Sequence, residues 1–327
     1  MSNAIERANL APSVHNTQPT RWRYDGNGVI TLMLDSNRVL SIGDPEARDA
    51  RLSFGAALEG TRLAFSEIGV EIRHMEAAGN QKWDRFQPIL HLDCKPQTNV
   101  KPLQNAKHVD ERFTWRCGFV PASSELKRAL VEATKKADSL TVIDGVDDIA
   151  WFADMNDNSS LSFFRDRAYR KELISWIRFS PKDSRWASDG LSARALGMTR
   201  VEAIGAYLVL RSPAFEILDG MELAKAIISE NEKTRTASAI ALFHRPVEEN
   251  PIESGVAYYQ YLLALAAAGF STWPMAVLAD AEGPRIEISK KYGLPSANRL
   301  LNVLRVGVAP LTAEKNRARL SASTLMV

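Results

Sequence analysis

Cysteine is scarce in this chain of 327 residues: Cys94 and Cys117 are the only two. Two distant thiols cannot form a CxxC pair, a four-ligand zinc site or a disulfide framework. They fit a reducing cytosol. An excess of one charge is also lacking. Lys plus Arg number 41 against 39 Asp plus Glu, a net of +2. That balance gives no support to nucleic acid or a membrane surface as a partner. Long apolar runs are missing too. Val256 to Phe270 is the longest and is broken by Gln260. It is shorter than the ~20 residues needed to span a bilayer, so it reads as a buried core helix. The N-terminus shows no basic segment followed by an apolar one, so no signal peptide is expected, and the expected location is cytoplasmic. His15, His74, His91, His108 and His244 show no i, i+4 pair and no H-E-x-x-H spacing. No metal site is therefore expected. The third glycine of a Rossmann fingerprint, a phosphate-binding P-loop and a G-x-S-x-G elbow are all absent.

What is present is the composition of an ordinary globular protein, 45% hydrophobic and 24% charged. Its length allows two domains or one fused double domain. Trp22 to Tyr24 and Val29 to Leu34 flank Asp25-Gly26-Asn27-Gly28, a hairpin signal. Asp44 reads as an N-cap and Pro45 as the first residue of a helix running from about Glu46 to Ile68, closed by Gly69. Ile89 to Leu92 reads as a short strand and Lys95 to Gln104 as a linker. Helices are expected at about Ser124 to Ala137, Ile149 to Ile177, Arg200 to Leu210, Gly220 to Glu232 and Gly255 to Ala268. Strands are expected at Leu140 to Ile143, Ala237 to Phe243 and Leu300 to Val308. Pro181 to Gly190 reads as an exposed, turn-rich loop. Asp147, Asp148, Asp154 and Asp157 read as solvated charges at helix ends. Strands between helices argue for an α+β or an α/β fold.

The chain also resembles itself. Gly55-Ala56-Ala57 falls on Gly255-Val256-Ala257 at an offset of 200. Leu63 then falls on Leu263, Gly69 on Gly269 and Met75 on Met275, without gaps. Ile5-Glu6 and Ala11-Pro12-Ser13 align more weakly with Val131-Glu132 and Ala137-Asp138-Ser139. Chance agreement of two capped core helices explains the first match. Two copies of one unit explain both.

The segment richest in chemistry is Ala11-Pro12-Ser13-Val14-His15-Asn16-Thr17-Gln18-Pro19. Its prolines fix φ and stiffen the loop. Its Ser, Asn and Gln offer neutral donors and acceptors, which suit a heterocycle with a mixed polar edge such as a flavin. Composition alone also fits a helix end followed by a polar turn. Further on, Arg112-Phe113-Thr114-Trp115-Arg116 places two planar guanidinium groups close together, a donor set suited to phosphate oxygens.

The two segments together resemble the FMN-dependent nitroreductase family. The first is similar to its A-P-S-x-x-N-x-Q-P signature and the second to its R-x-S-x-R/K motif, with Thr114 in place of Ser. The resemblance implies that Pro12, Ser13, Val14, Asn16 and Gln18 lean on the flavin ring and that Arg112, Phe113, Thr114 and Arg116 hold its phosphate. Family members carry a small apolar contact strip, matched loosely here by Trp273-Pro274-Met275-Ala276, which implies a ring contact for Pro274, Met275 and Ala276. A late basic residue on the phosphate is matched by Lys315, Arg317 or Arg319, with Arg317 taken as the candidate. Thr20 departs from the family's tryptophan after Gln-Pro.

In single-unit members the arginine motif comes first and two chains share each flavin. Here the loop comes first. At Ala137-Asp138-Ser139-Leu140-Thr141 the second copy has neither proline nor asparagine. The chain thus resembles the fused, two-repeat Acg-like subgroup. The resemblance implies a nitroreductase-like α+β fold of two tandem repeats forming an intramolecular pseudo-dimer with one complete site. Residues 1–105 would form the first repeat and 106–327 the second, with a candidate lid at 181–197. Two functions follow. One is two-electron transfer from NAD(P)H through FMN to a nitroaromatic, a quinone or a similar small-molecule acceptor. The other is storage of FMN under a closed lid. No side chain reads as an obligatory acid or base. A monomer suffices for the site, and a homodimer through another surface is left open.

Overall fold

Gly26, Asn27 and Gly28 all take positive φ, of 87°, 50° and 81°. This reverses the chain between β1 (Thr20–Gly26) and β2 (Val29–Asp35), as the sequence indicates. The architecture is that of a computed structural model, which describes residues 1–78, 85–97, 101–134 and 139–327. After β2 come α2 (Arg48–Glu67), β3 (Val70–Ala77) and β4 (Phe86–Pro96), with α1 (Ser2–Ala8) ahead of them all. The four strands form one sheet in the order β1-β2-β4-β3, antiparallel throughout.

The second half repeats this plan. α3 (Ser124–Thr134) precedes β5 (Leu140–Ile143). Then β8 (Ala239–Pro246), α10 (Pro251–Ala267), β9 (Ser271–Pro274) and β10 (Asn298–Gly307) follow. Their sheet has the order β5-β8-β10-β9, again antiparallel. Position for position the two orders are the same, and a long helix joins the second strand to the edge strand in each. The fold is α+β, and the parallel sheets that an α/β reading requires are not what these strands form.

The halves meet at α2 and α10. A Cβ on Gly55 would fall well inside contact distance of the Ile252 carbonyl oxygen and 2.9 Å from Gly255 Cα. A Cβ on Gly255 would fall as close to the Leu52 oxygen and 2.9 Å from Gly55 Cα. Leu52 pairs with Gly255 as Ile252 pairs with Gly55, so each helix uses one patch on the same patch of the other. That reciprocity is the signature of a two-fold interface, here within one chain. Around the crossing, Phe54, Leu58 and Leu63 join Tyr259, Leu262 and Leu263 in one core. Gly69 and Gly269 close the two helices at φ of 70° and 86°, since only glycine adopts that conformation without strain. The chain is an internal pseudo-dimer.

Several sequence readings shift. α2 starts at Arg48, and Pro45 lies ahead of it. Ala47 is left-handed at φ 53°, and the Asp44 carboxylate accepts hydrogen bonds from the Asp49 and Ala50 amides at 3.1 and 2.8 Å. α10 starts at Pro251, with Asn250 as its cap. β4 is longer than Ile89–Leu92 because it is an inner strand with partners on both sides. The helix expected at Gly220 to Glu232 is three short ones: α7 (Ala214–Gly220), α8 (Ala224–Ile228) and α9 (Asn231–Arg235). Glu222, at φ 62°, ends the first. Asp157 accepts from the Ser229 hydroxyl and, at 3.0 Å, from the Glu230 amide, which ends the second. Asp157 is thus buried structure, not a solvated charge. Ala137 and Asp138, part of the weaker repeat match, lie outside the described residues.

Between β5 and β8 the second half carries an insertion. It holds α4 (Val146–Arg165), α5 (Arg167–Ser175), the two-residue parallel pair β6 (Ile177–Arg178) and β7 (Leu191–Ser192), α6 (Arg200–Val209) and α7 to α9. After β10 the chain leaves its own half and returns to the first, where the Val327 amide donates to the Trp22 carbonyl at 3.0 Å. Among the described residues no helix is long and apolar enough to cross a membrane.

Candidate functional site

The ring-loop candidates follow α1, and the loop is bent by three successive departures from ordinary backbone. His15, Asn16 and Gln18 take φ of 43°, 56° and 51°. Non-glycine residues seldom do so, and such strain gathers at functional positions. Hydrogen bonds hold the bend. The Val14 amide donates to Ser53 Oγ on α2 at 3.0 Å, and the Gln18 amide donates to Ser13 Oγ at 3.0 Å.

The arginine segment reaches the same place from the other half. The Trp115 amide donates to the Thr272 carbonyl at 3.1 Å, and Thr114 bridges Thr272, which fastens the segment beside β9. Between the two lies a cleft of about 70 Å³ lined by Pro12, Ser13, Asn16, Arg112, Phe113, Thr114 and Arg116. The structure thus brings together residues a hundred positions apart. Arg317 lines the cleft as well. Lys315 does not, and donates instead to the Asp110 carbonyl at 2.7 Å. Val14, Gln18, Pro274, Met275 and Ala276 are not among its lining residues. Gln18 is buried behind it, where its Oε1 accepts from Asn9 and from the Leu320 amide. Met275 sits in the core of the second half.

A further wall comes from two places the sequence had marked, the late basic residues and the candidate lid at 181–197. Arg319 lines the cleft, with Asn316 and Ala318 from the returning tail and Gly190, Leu191, Ser192 and Ala195 from the insertion. Arg319 donates to Asn16 Oδ1 at 2.9 Å and to the Asn9 carbonyl at 2.7 Å. Asn16 Nδ2 donates to the carbonyls of Gly190 and Ala318, both at 3.0 Å, and Gln18 Nε2 donates to the Ser188 carbonyl at 2.9 Å. The loop at 181–190 is therefore not wholly exposed. Its end is pinned by Asp189, which pairs with Arg178 at 2.6 Å and with Arg38 at 3.1 Å, all within or near the interior.

Cations dominate the electrostatics. Burial and neighbouring arginines push Arg319 down to about 9 and Arg317 below its ordinary range. Burial pushes Arg116 down to about 10. Arg116 makes no hydrogen bond or ion pair with any described residue. The Nε atoms of Arg112 and Arg317 are buried without a partner among the described residues. The acids in reach are Asp110, shared by Arg7 and Arg317, and Glu230, engaged by Arg305. A buried cation without an anion is costly, and a phosphate group is the donor set's natural complement. His15, beside this cluster, is pushed down to about 4, chiefly by burial. It is neutral at physiological pH.

A two-repeat α+β chain with a cationic cleft between its halves is the class these features define. No family model matches the chain. It is similar over nearly its whole length to a Mycobacterium tuberculosis protein (strain H37Rv) named "Putative NAD(P)H nitroreductase acg". The two are 26% identical over 323 residues, 95% of this chain and 89% of that one. An uncharacterized protein of the same strain is 35% identical over 69 residues, 20% of each chain. Among solved structures, a Bacteroides fragilis nitroreductase with bound FMN aligns with 69% of this chain and 98% of its own, at TM-score 0.40 and 11% identity. The FMN-dependent nitroreductase NfnB of Mycobacterium smegmatis, solved with NADPH, aligns with 64% and 90%, at TM-score 0.35 and 19% identity.

Proposed function

We propose that the chain binds one FMN between its repeats and is an oxidoreductase of nitroreductase type. The observation that carries this reading is the convergence of Arg112, Arg116, Arg317 and Arg319 with Pro12, Ser13 and Asn16 in one cleft, where Arg116 has no partner among the described residues and the Nε atoms of Arg112 and Arg317 have none. The whole-length similarity to a protein named a nitroreductase supports it. We place the repeats at 1–105 and 106–327. In this reading the arginines hold the phosphate, and the absence of a Rossmann fingerprint leaves no place for an adenosine half. Ser13 and Asn16 hydrogen-bond the polar edge of the ring. Pro12 stiffens their loop, and neutral His15 adds no charge there. The chemistry that FMN supplies when bound is two-electron transfer from NAD(P)H to a nitroaromatic, a quinone or a similar acceptor.

A second reading, storage of FMN without turnover, is favoured by one observation. Gly190 and Ala318 accept hydrogen bonds from Asn16, the side chain that would face the ring, and Ser188 and Leu320 hold Gln18 behind it. At about 70 Å³ the cleft takes a phosphate-sized anion, and a whole flavin requires these segments to stand further off. A reductase must admit nicotinamide to within ~3–3.5 Å of its target, and a store must not. Anaerobic mixing with NADH or NADPH, followed by flavin absorbance, separates the two. Bleaching within seconds to minutes is expected for the reductase. Flavin that stays oxidised for hours, yet is reduced by dithionite or after deletion of Ser184 to Gly190, replaces that reading with storage. Denatured protein should release one FMN per chain, and a protein that takes up none at micromolar FMN overturns both readings.

A further inference from the structure

α6 is apolar on the wrong side. Its inward face, Ala203, Ala206 and Leu210, packs into the small core of the insertion. Its outward face carries Val201, Ile204 and Leu208 at helical spacing, exposed to 80%, 63% and 59%. A helix apolar all round is ordinarily buried all round. On the neighbouring α7 and at the residue that follows it, Ile217 and Met221 are 60% and 61% exposed.

Gly205 lies in the middle of the outward stripe. A Cβ there would meet nothing within 4 Å, so no contact with the described residues calls for glycine. Glycine inside a helix costs about 1 kcal/mol relative to alanine. The same molecule shows where that cost is repaid: at Gly55 and Gly255 the missing side chains let two helices cross with their backbones in contact.

We propose that α6 is the contact surface of a homodimer, two copies of the chain crossing at Gly205 about a two-fold axis. A second copy is the occupant because the stripe is self-complementary. A two-fold contact sets each patch on itself, and a glycine flanked by Val201, Ile204 and Leu208 meets that need as the α2 and α10 pair does. The area agrees. At roughly 60–120 Å² per aliphatic side chain, the five exposed residues offer on the order of 300 Å² of apolar surface per chain. That matches the apolar part of an interface near the ~1,000 Å² threshold for a specific contact. The dimer should therefore be weak, with a dissociation constant in the micromolar range. It is independent of the flavin reading, since α6 contributes nothing to the cleft.

Sedimentation velocity of the full chain from about 1 to 200 µM, with and without FMN, tests this. A concentration-dependent shift from monomer to dimer is expected. Ile204→Glu and Leu208→Glu should each raise the dissociation constant at least 100-fold while far-UV circular dichroism stays unchanged. Gly205→Ala discriminates most sharply: it should raise the thermal stability of the dilute monomer yet weaken association at least tenfold. A chain that stays monomeric at 200 µM overturns the proposal. So does a dimer that ignores all three substitutions, or an α6 face whose only measurable ligand is a phosphatidylcholine–phosphatidylglycerol vesicle.

Discussion

Two regions join the halves of this molecule, and they do so by opposite means. At the crossing of α2 and α10 two glycines let the backbones touch, and the surroundings are largely apolar. At the cleft, four arginines crowd together, two guanidinium nitrogens lack partners, and three non-glycine residues hold left-handed backbone. The first region is closely packed, with no charge held against its backbone contact. The second is costly in the free chain, with charges desolvated and backbone strained. Costs of that kind persist where the surrounding structure fixes them and a ligand offsets them.

The largest effect should come from breaking the crossing. Gly55→Ala and Gly255→Ala each force a methyl group onto a carbonyl oxygen of the other helix, with backbone on both sides and no flexible side chain to yield. Each should cost ~3 kcal/mol or more, measured by urea denaturation. Because the contact is reciprocal, the two losses should agree within about 1 kcal/mol. A loss at one position only would mean that the internal two-fold is not shared in energy.

At the cleft, Arg112→Ala and Arg116→Ala should each weaken FMN binding about ten- to a hundredfold, the worth of one charge-assisted hydrogen bond. Their effects on folding should differ. Arg112 is buried and donates to the Leu10 carbonyl at 2.8 Å, so its loss should also lower stability by about 1 kcal/mol. Arg116 has no such partner. Its removal should leave the melting temperature of the flavin-free chain unchanged or raised. Fluorescence titration and calorimetry read the two quantities separately.

The next effect is one of pH. His15 has its pKa lowered to about 4 in the folded chain, against ~6.5 when unfolded. The unfolded state therefore binds more protons between those values, and stability falls as pH drops from 6.5 toward 4. The loss is at most ~3 kcal/mol. His15→Gln should flatten that limb of the stability profile. A parallel loss in the variant would assign the acid sensitivity to another group.

How much of this was legible follows from where each signal lies. Gly55 and Gly255 were readable as a repeat because a backbone contact admits one residue type, and sequence records that choice. The loop at 12–18 and Arg112 to Arg116 were readable because their chemistry is local. β3 was not, since Val70 to Ala77 is an edge strand with most side chains exposed and so lacks a clear alternation. Arg319 could not be ranked above Lys315, because only the path of the returning tail decides which basic residue enters the cleft. Gly190 to Ser192 fall inside the candidate lid at 181–197, and what was misjudged was the exposure of the loop as far as Gly190. Asp189 carries no sign in sequence that two arginines, one of them 151 residues away, will bury it.

The smallest predicted effect sharpens the comparison from inside the first sheet. Thr20 stands where the resembled family has tryptophan. It is 2% exposed, and its hydroxyl has no partner among the described residues. Two positions on, Trp22 is buried and donates from Nε1 to Thr61 Oγ1 on α2 at 3.0 Å. The indole is thus tied to the rigid helix, away from the cleft, and Thr20 carries an unpaired polar atom in the strand that leads out of the ring loop. An unsatisfied buried hydroxyl costs free energy, and replacing it by a methyl group of the same shape should be neutral or stabilising. Thr20→Val should therefore change stability by between zero and about +1 kcal/mol, read from urea denaturation with and without FMN. If the variant is stabilised in the free chain but the gain vanishes when FMN is bound, Thr20 belongs with the arginines, among the groups whose partner is the ligand. If the gain is the same in both states, Thr20 belongs with the packing of the first sheet. A loss in both states would mean that the hydroxyl has a partner after all, and the strain beside the cleft would then be that of His15, Asn16 and Gln18.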